Sequence, residues 1–225
     1  MRNVRDLMLK RLENQVEDPN AVEEQDVVEE AKQQIGEGDL MQMIMDEINS
    51  KTLTVHGEFN DDMVAKVKEF ADQVWYYEQD TTRPLYVDIT SHGGRLDSLF
   101  SILDILENLK EEWNCTIITR CRGFAESCGF LLWCYGDERQ MGTYGELMCH
   151  KLRYGWNGTP DDHEKELKRT KKMQDKLDEI ICKKTGLTKR QLNNWYKKDG
   201  DKFISKEEAM KLGILTIYDD EENNE

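Results

Sequence analysis

Hydrophobic and polar positions along this chain change their spacing several times, and the changes predict strands and helices in alternation. β-branched residues at a period of two predict a strand over residues 52–56. After Asn60, a typical helix-capping residue, apolar positions recur at helical spacing. Further short apolar runs predict strands over residues 85–90, 115–119 and 146–150, and a closing strand that ends at Tyr218. A short strand is also predicted over residues 138–141. Repeated units of this kind imply a mostly parallel sheet with helices on its faces.

The helices predicted between these strands differ in character. A turn over residues 91–94 leads into an apolar helix, and a second apolar helix opens after Ser127. A long charged helix over residues 161–184 starts at a Thr-Pro dipeptide and stops at a glycine. Its pattern by itself indicates a solvent-facing helix with ion pairs four residues apart. A helix over residues 189–197 follows, and Ser205 caps a last short helix.

Charge is distributed unevenly along the chain. The net charge is −15 at pH 7, and acidic residues concentrate at the two ends. Because phosphate groups attract clustered cations, this charge argues against nucleic-acid and anionic-membrane partners. We predict an acidic leader over residues 1–38, which is either disordered or helical, one folded domain over 39–218 and an acidic tail over 219–225.

The apolar segments and the cysteines indicate the cellular compartment in which the protein is expected. No run approaches the ~20 apolar residues that a membrane-spanning helix needs. The basic N-terminus lacks the apolar stretch of a signal peptide. The six cysteines lack the paired spacing of a metal site, and we interpret them as free thiols in a reducing cytoplasm. We therefore expect a cytoplasmic protein.

Two polar residues stand out because each lies beside an apolar run. Ser127 sits in the small-residue turn Gly-Phe-Ala-Glu-Ser-Cys-Gly, and His150 ends the next long apolar run. A serine hydroxyl is a poor nucleophile at neutral pH and needs a neighbouring base. A serine at a helix start also lies near free backbone N–H groups that favour a developing oxyanion. The simpler alternatives are a serine that only caps the helix and a histidine satisfied in the core.

Four segments stand in the order and spacing of a known family. They are residues 85–94 (LYVDITSHGG), the Gly-x-Ala-x-Ser-Cys-Gly turn, Met-Cys-His at His150, and FISKEEA from Phe203 with a Gly-Ile pair after it. Over roughly residues 50–218 the chain resembles the Clp protease proteolytic subunit family, the self-compartmentalised serine peptidases of the ClpP/crotonase fold. It is more similar to divergent or phage-encoded members, because His92, Glu126 and Cys128 depart from the usual pattern.

The resemblance implies an α/β fold of repeated βαβ units, with a mostly parallel sheet and the long charged helix as a protruding handle. It makes Ser127 the nucleophile and His150 the general base. It assigns the oxyanion hole to the backbone N–H groups of Gly94 and Cys128. It places residues 154–158 over the substrate, and it implies no metal or organic cofactor.

The acid that would orient the histidine has two candidates. In the family it lies shortly before the Phe-x-Ser segment, but counting back from Phe203 reaches Lys197, and counting forward from the preceding Thr-Gly reaches Trp195. A short change in length has therefore remodelled this segment. We favour Asp199, with Asp201 as the alternative and a Ser–His pair without an acid as a third arrangement. Both aspartates are also ordinary turn residues.

The function that the resemblance implies is a serine endopeptidase that hydrolyses peptide bonds inside a ring-shaped compartment. The expected assembly is a homo-oligomer of stacked heptamers, and an AAA+ unfoldase would feed it peptides or unfolded proteins. The ATP belongs to that partner, because this chain has no GxxxxGK[ST] phosphate loop. The expected location is the cytoplasm, or the host cytoplasm if the chain is phage-encoded.

Other functions stay open at this point. A catalytically impaired ring subunit of the same fold fits the displaced acid and the presence of Glu126 beside the serine. A phage capsid-maturation protease would use the acidic leader as a removable segment or a docking arm. A crotonase-like acyl-CoA enzyme shares the fold, but the ordered Ser–His pair favours peptide hydrolysis. Glu126 itself is predicted either to act on the histidine or to face solvent or a neighbouring subunit.

Overall fold

The computed structural model describes residues 51–77, 84–155, 157–198 and 200–217. The predicted leader, the acidic tail and Asp199 lie outside these ranges. Within them, no helix combines the length and the apolar character needed to cross a membrane.

Strands and helices alternate through the first half of the described chain, as predicted. The strands are β1 (Thr52–Phe59), β2 (Leu85–Gly94), β3 (Ile117–Glu126), β4 (Glu138–Met141), β5 (Glu146–His150) and β6 (Asp201–Ser205). The helices are α1 (Asp61–Tyr77), α2 (Leu96–Trp113), α3 (Cys128–Tyr135), α4 (Pro160–Thr185), α5 (Lys189–Lys198) and α6 (Lys206–Lys211). The predicted cap of α1 is present, because Asn60 Oδ1 accepts a hydrogen bond from the Met63 amide at 2.9 Å.

The strands form one sheet in the order β1-β2-β3-β5-β6, with β4 beside the first half of β3. β1, β2 and β3 are parallel, and both β4 and β5 run parallel to β3. β6 is antiparallel to β5. This confirms the predicted α/β class with a mostly parallel sheet. Because the carboxyl ends of parallel strands meet at one edge of a sheet, the residues that end β2, β3 and β5 lie near one another.

The core lies between the sheet and the helices that cover it. In β2 every second residue is buried, including Leu85, Val87 and Ile89, because successive side chains of a strand point to opposite faces. Leu99 and Ile102 of α2 are fully buried as well. α3 is buried along nearly its whole length, as a helix without a polar face should be. The chain turn that precedes α3 is therefore anchored in the core.

Two strands extend further than predicted. Residues 91–94, predicted as a turn, continue β2, because β1 pairs with that strand as far as Gly94. The strand predicted over residues 115–119 begins at Ile117 and runs on to Glu126. Its second half is held between β2 and β5, and this pairing outweighs the weak strand signal of its small and polar residues.

Two elements near the C-terminus also differ from the prediction. The segment before the last helix forms β6, although only Ile204 of its residues is buried and the sequence shows no period-two pattern. Antiparallel pairing with β5 decides its conformation. The predicted closing strand is not formed over residues 214–217 of the described chain. The amides of Thr216 and Ile217 both donate to the Arg139 carbonyl instead.

α4 is the predicted charged helix, one residue longer at each end. Thr159 and Asp162 form a capping box at its start, and Gly186 ends it with a φ of 76°. At about 1.5 Å per residue, its 26 residues span about 39 Å. Along this helix no residue before Thr170 is buried, whereas the C-terminal half packs against the core through residues such as Leu177. The N-terminal half is thus exposed in the manner expected of a handle.

Candidate active site

Ser127 is the single residue between β3 and α3, where the chain changes direction sharply. Its φ of 53° and ψ of −113° lie outside the regions that L-residues normally adopt. Two hydrogen bonds hold the turn: the Ser127 amide donates to the Met148 carbonyl at 2.9 Å, and its carbonyl accepts from the Leu131 amide at 3.1 Å. A strained serine at a strand-to-helix junction is also the geometry of the nucleophile elbow in hydrolases.

Small residues beside the serine allow this turn to pack. Ala125 is fully buried, and it pairs with Ser91 of β2 on one side and Leu147 of β5 on the other. A Cβ on Gly129 would lie 3.1 Å from the Ser91 carbonyl oxygen, closer than ordinary van der Waals contact. A larger residue here would push α3 away from β2. These small positions therefore have a packing reason that is independent of any chemistry.

Gly93 and Gly94 bring the end of β2 against the serine. Their φ values of 105° and 148° are ones that side chains rarely adopt. A Cβ on Gly93 would lie 2.6 Å from Ser127 Cβ, and a Cβ on Gly94 would lie 2.6 Å from the Phe59 backbone nitrogen. Only glycine therefore fits between β1 and the serine turn, and the backbone of β2 can approach a molecule bound at Ser127.

Ser127, His150, Gly94 and Cys128 line one cavity of about 240 Å³. The structure thus brings together four of the five residues predicted for the site. Their meeting follows from the sheet, because they lie at or just after the carboxyl ends of β2, β3 and β5. The rest of the lining is mainly apolar and comes largely from the helices, with Leu96, Phe130, Leu131, Leu177 and Ile181 among its residues. A few polar groups converging on an apolar hollow are typical of a binding site.

The His150 ring is oriented by a backbone oxygen. Its Nδ1 lies 2.5 Å from the carbonyl oxygen of Lys151. Because a carbonyl oxygen only accepts hydrogen bonds, Nδ1 carries a hydrogen, and in the neutral ring the lone pair is therefore on Nε2. The ring is therefore in the tautomer that a general base needs.

Of the two predicted acids, only Asp201 lies within the described residues. Asp201 lies directly across from His150 in the pairing of β5 with β6. Its carboxylate forms an ion pair with Arg153, which also lines the cavity. Asp199 lies outside the described residues and stays a prediction.

The Cys128 side chain links the two predicted oxyanion donors. Its Sγ lies 3.3 Å from the Gly94 carbonyl oxygen. Burial raises the pKa of the Cys128 thiol to about 11, so the group is protonated at neutral pH and can donate to that carbonyl. The thiol thereby ties the first turn of α3 to the end of β2.

Glu126 makes a contact on a different side of β3. Its Oε2 lies 2.8 Å from Nδ1 of His92. The His92 ring stacks on Phe124 with 4.0 Å between ring centroids. The carboxylate beside the nucleophile is therefore engaged with His92, a partner that the sequence did not indicate.

A hydrogen-bonded group on α4 and α5 lies at the same cavity and was missed from the sequence. Gln174 Nε2 donates to Asp178 Oδ1 at 2.8 Å, and the Tyr196 hydroxyl donates to the same oxygen at 2.9 Å. Burial, followed by the charge of nearby groups including Asp178, raises the pKa of Tyr196 well above its ordinary value. The sequence signal was the i,i+4 spacing of Gln174 and Asp178 beside the apolar Leu177, within a helix interpreted as wholly solvent-facing.

The fold and the cavity together define a class. It is an α/β protein in which a serine, a histidine and backbone donors meet at the strand ends, as in serine hydrolases. The model of the Clp protease family matches residues 36–218, which is most of the chain. The chain therefore belongs to the Clp protease family, and its sheet and handle helix agree with the ClpP/crotonase-like fold. The predicted family is confirmed, and it supports a ClpP-like peptidase.

Proposed function

We propose that the protein is a serine endopeptidase of the Clp type. One observation carries the proposal: Ser127, His150 and Gly94 come from separate elements and line one cavity. Membership of the Clp protease family supports the same conclusion from the whole domain. The substrates would be peptides and unfolded polypeptides, which can lie extended along the end of β2.

The first half of the reaction forms an acyl-enzyme. Ser127 Oγ attacks the carbonyl carbon of the scissile bond, while His150 Nε2 takes the hydroxyl proton. The N–H groups of Gly94 and Cys128 stabilise the oxyanion of the tetrahedral intermediate. In comparable sites one such donor lowers the barrier by about 2.7–4 kcal/mol. The imidazolium then gives its proton to the leaving amine.

The second half of the reaction releases the product. A water molecule gives a proton to His150 and attacks the acyl carbon, and the same two N–H groups stabilise the second oxyanion. Collapse of this intermediate frees the new carboxyl group, and the proton returns from the imidazolium to Ser127 Oγ. No bond to a metal or to an organic cofactor enters this sequence of steps.

For the acid of the site, the sequence offers Asp199 first and Asp201 second. Asp201 is paired with Arg153 through one carboxylate oxygen, and its second oxygen could still accept a hydrogen bond from the histidine. The variants Asp199→Asn and Asp201→Asn, measured in the hydrolysis assay described below, assign the role to whichever position loses activity.

We further propose that the active form is a homo-oligomeric ring, with stacked heptamers as the expected arrangement, supplied by an AAA+ unfoldase in the cytoplasm. The family supports this assembly. The exposed N-terminal half of α4 is a surface on which a second ring can pack. Analytical ultracentrifugation tests the proposal, because a species that stays monomeric at all concentrations contradicts it.

The decisive experiment is covalent labelling with a fluorophosphonate, combined with hydrolysis of a fluorogenic peptide. We expect the wild type to be labelled and Ser127→Ala to lose both labelling and hydrolysis. His150→Ala should strongly reduce both. Ser101→Ala is a matched control, because this exposed serine lies on α2 away from the cavity lining. A wild-type protein that is neither labelled nor active contradicts the proposal.

The alternative is a ring subunit of the same fold that no longer cleaves. The pairing of Asp201 with Arg153 is the observation that favours it. A subunit of this kind would form rings with normal stability but would not be labelled at Ser127. The labelling experiment therefore separates the two functions.

A further inference from the structure

The peptide group between Lys151 and Leu152 is held from both sides. Its carbonyl oxygen, on Lys151, lies 2.5 Å from His150 Nδ1. Its amide, on Leu152, donates to Gln174 Oε1 at 2.7 Å. The C=O and N–H of a trans peptide point in opposite directions, so the histidine and the glutamine lie on opposite sides of one rigid unit.

The hydrogen bonds continue from this peptide to a buried carboxylate. Gln174 donates through Nε2 to Asp178 Oδ1 at 2.8 Å. The Tyr196 hydroxyl donates to that same oxygen at 2.9 Å. Asp178 is only 7% exposed. Starting at the imidazole, each donor faces the next acceptor, so every bond in the series polarises its neighbour in the same direction.

This series is placed where it can act on the proposed reaction. Gln174 and Tyr196 line the same cavity as Ser127 and His150. Asp178 lies one helical turn beyond Gln174 on α4 and is covered by α5 through Tyr196.

We propose that Gln174, Asp178 and Tyr196 are positioning residues for His150, which they orient through the Lys151–Leu152 peptide. The inference rests on the proposed serine peptidase function, since it concerns the base of that reaction. We call the series of hydrogen bonds from the Lys151–Leu152 peptide through Gln174 to Asp178 the amide relay. It would orient the imidazole and stabilise its positive charge, as a directly bonded carboxylate does in a Ser-His-Asp triad.

The relay acts by orientation and by charge. It holds the hydrogen on Nδ1, so that the neutral ring keeps its lone pair on Nε2, the nitrogen that would accept the proton of Ser127. When the proton moves from Ser127 Oγ to Nε2, the new positive charge on the ring is stabilised by aligned dipoles that end on the Asp178 carboxylate. No proton moves along the relay, because Nδ1 keeps its hydrogen throughout.

The test compares variants of the full chain for kcat and KM with a fluorogenic peptide, and for the rate of fluorophosphonate labelling. Gln174→Ala removes both bonds of the amide and should lower kcat by about ten-fold or more, with KM within two-fold of wild type. Asp178→Asn keeps an acceptor of the same shape and removes the charge, so it should lower kcat less than Gln174→Ala. Tyr196→Phe provides a second, milder perturbation of the same carboxylate.

Controls separate this role from a purely structural one. Asp175→Asn removes a charge from an exposed position on the same helix and should leave kcat and the melting temperature unchanged. If Gln174→Ala lowers the melting temperature, Tyr196→Phe and Asp178→Asn, chosen to preserve shape, still report on kcat. The graded order of kcat at constant KM is the signature that a structural effect would not produce.

The outcomes are distinct. The proposal is overturned if Gln174→Ala and Asp178→Asn fold normally and keep the wild-type kcat. It is also overturned if Asp199→Asn or Asp201→Asn alone removes hydrolysis as completely as His150→Ala, because a carboxylate would then act directly on the ring. A wild type without Ser127-dependent labelling would contradict the serine peptidase function itself, which is a different result from either of these.

Discussion

Replacing Gly94 by alanine is the sharpest test of the proposed oxyanion hole, because the distance by which the backbone would have to move can be calculated from the structure. A Cβ at this position would lie 2.6 Å from the Phe59 backbone nitrogen and also 2.6 Å from its carbonyl oxygen. Ordinary contacts begin at 3.4 Å, so one of the two strands must shift by about 0.8 Å. Both obstacles are backbone atoms of β1, which cannot rotate away as the end of a side chain can.

Two costs follow from this shift. A displacement near 1 Å at a reacting centre can lower a rate by about a hundred-fold, and losing one oxyanion donor costs about the same or more. We therefore expect Gly94→Ala to lower kcat by about a hundred-fold or more. The φ of 148° adds strain of about 1–2 kcal/mol, so the melting temperature should also fall by several degrees.

The assay must separate the loss of the donor from the loss of stability. Gly186→Ala is the matched control, because Gly186 has a φ of 76° with nothing within 4 Å of its built Cβ. It should lose stability through backbone strain alone, at the end of α4, and keep its kcat for the fluorogenic peptide. The reasoning is refuted if Gly94→Ala folds and retains a kcat within three-fold of wild type, because the Gly94 N–H then does not bind the oxyanion.

Three further predictions concern the Cys128 thiol, the partly buried Asp137 carboxylate and the buried Arg139 guanidinium. Cys128→Ala keeps the backbone N–H but removes the link to the Gly94 carbonyl, so kcat should fall by about five-fold with little change in KM. Burial opposes ionisation of Asp137, but hydrogen bonds from Lys110 and from the Ile117 amide outweigh it and hold the Asp137 pKa below its ordinary value. Its stabilising effect is therefore present above about pH 4 and is lost as the pH falls through the folded-state pKa. In urea unfolding, wild type should thus lose more stability between pH 6 and pH 3 than Asp137→Asn. The Arg139 guanidinium donates to the Ile214 and Gly136 carbonyls at 2.8 Å each, and Arg139→Met should cost about 3 kcal/mol in the same assay.

Each of these has an outcome that would contradict it. An unchanged kcat in Cys128→Ala would show that the thiol does not hold the two donors together. If the free energy of unfolding falls by the same amount between pH 6 and pH 3 in wild type and in Asp137→Asn, the ionised carboxylate contributes no stability. A loss below 1 kcal/mol for Arg139→Met would mean that the two carbonyls find other donors.

The sequence predicted the elements whose signal is local. β4 and β5 have the predicted bounds, and the caps at Asn60 and Thr159 lie where the side-chain chemistry required. It also indicated the family, because four ordered motifs are specific even without coordinates. Ser127 and His150 could be chosen from the sequence because few residue types can serve as nucleophile and base.

Pairing between strands decided what local signals could not. β6 is polar and shows no strand pattern, and it forms because β5 offers a free edge. The predicted turn after β2 continues as strand for a similar reason, since β1 pairs with it to Gly94. Long-range hydrogen bonds of this kind outweigh the preferences of individual residues.

The surroundings of His150 belong to the tertiary structure alone. The sequence offers Asp199 and Asp201 as the acid, and that choice stays a prediction, but it does not indicate that the Lys151 carbonyl lies at the ring with Gln174 bound to the same peptide group. These groups are close because α4 packs against α3 and accepts a hydrogen bond from Leu152 just after β5, and no spacing in the sequence records that approach. The residue types determine which chemistry is available, but only the tertiary packing of the helices and strands determines which groups are in contact.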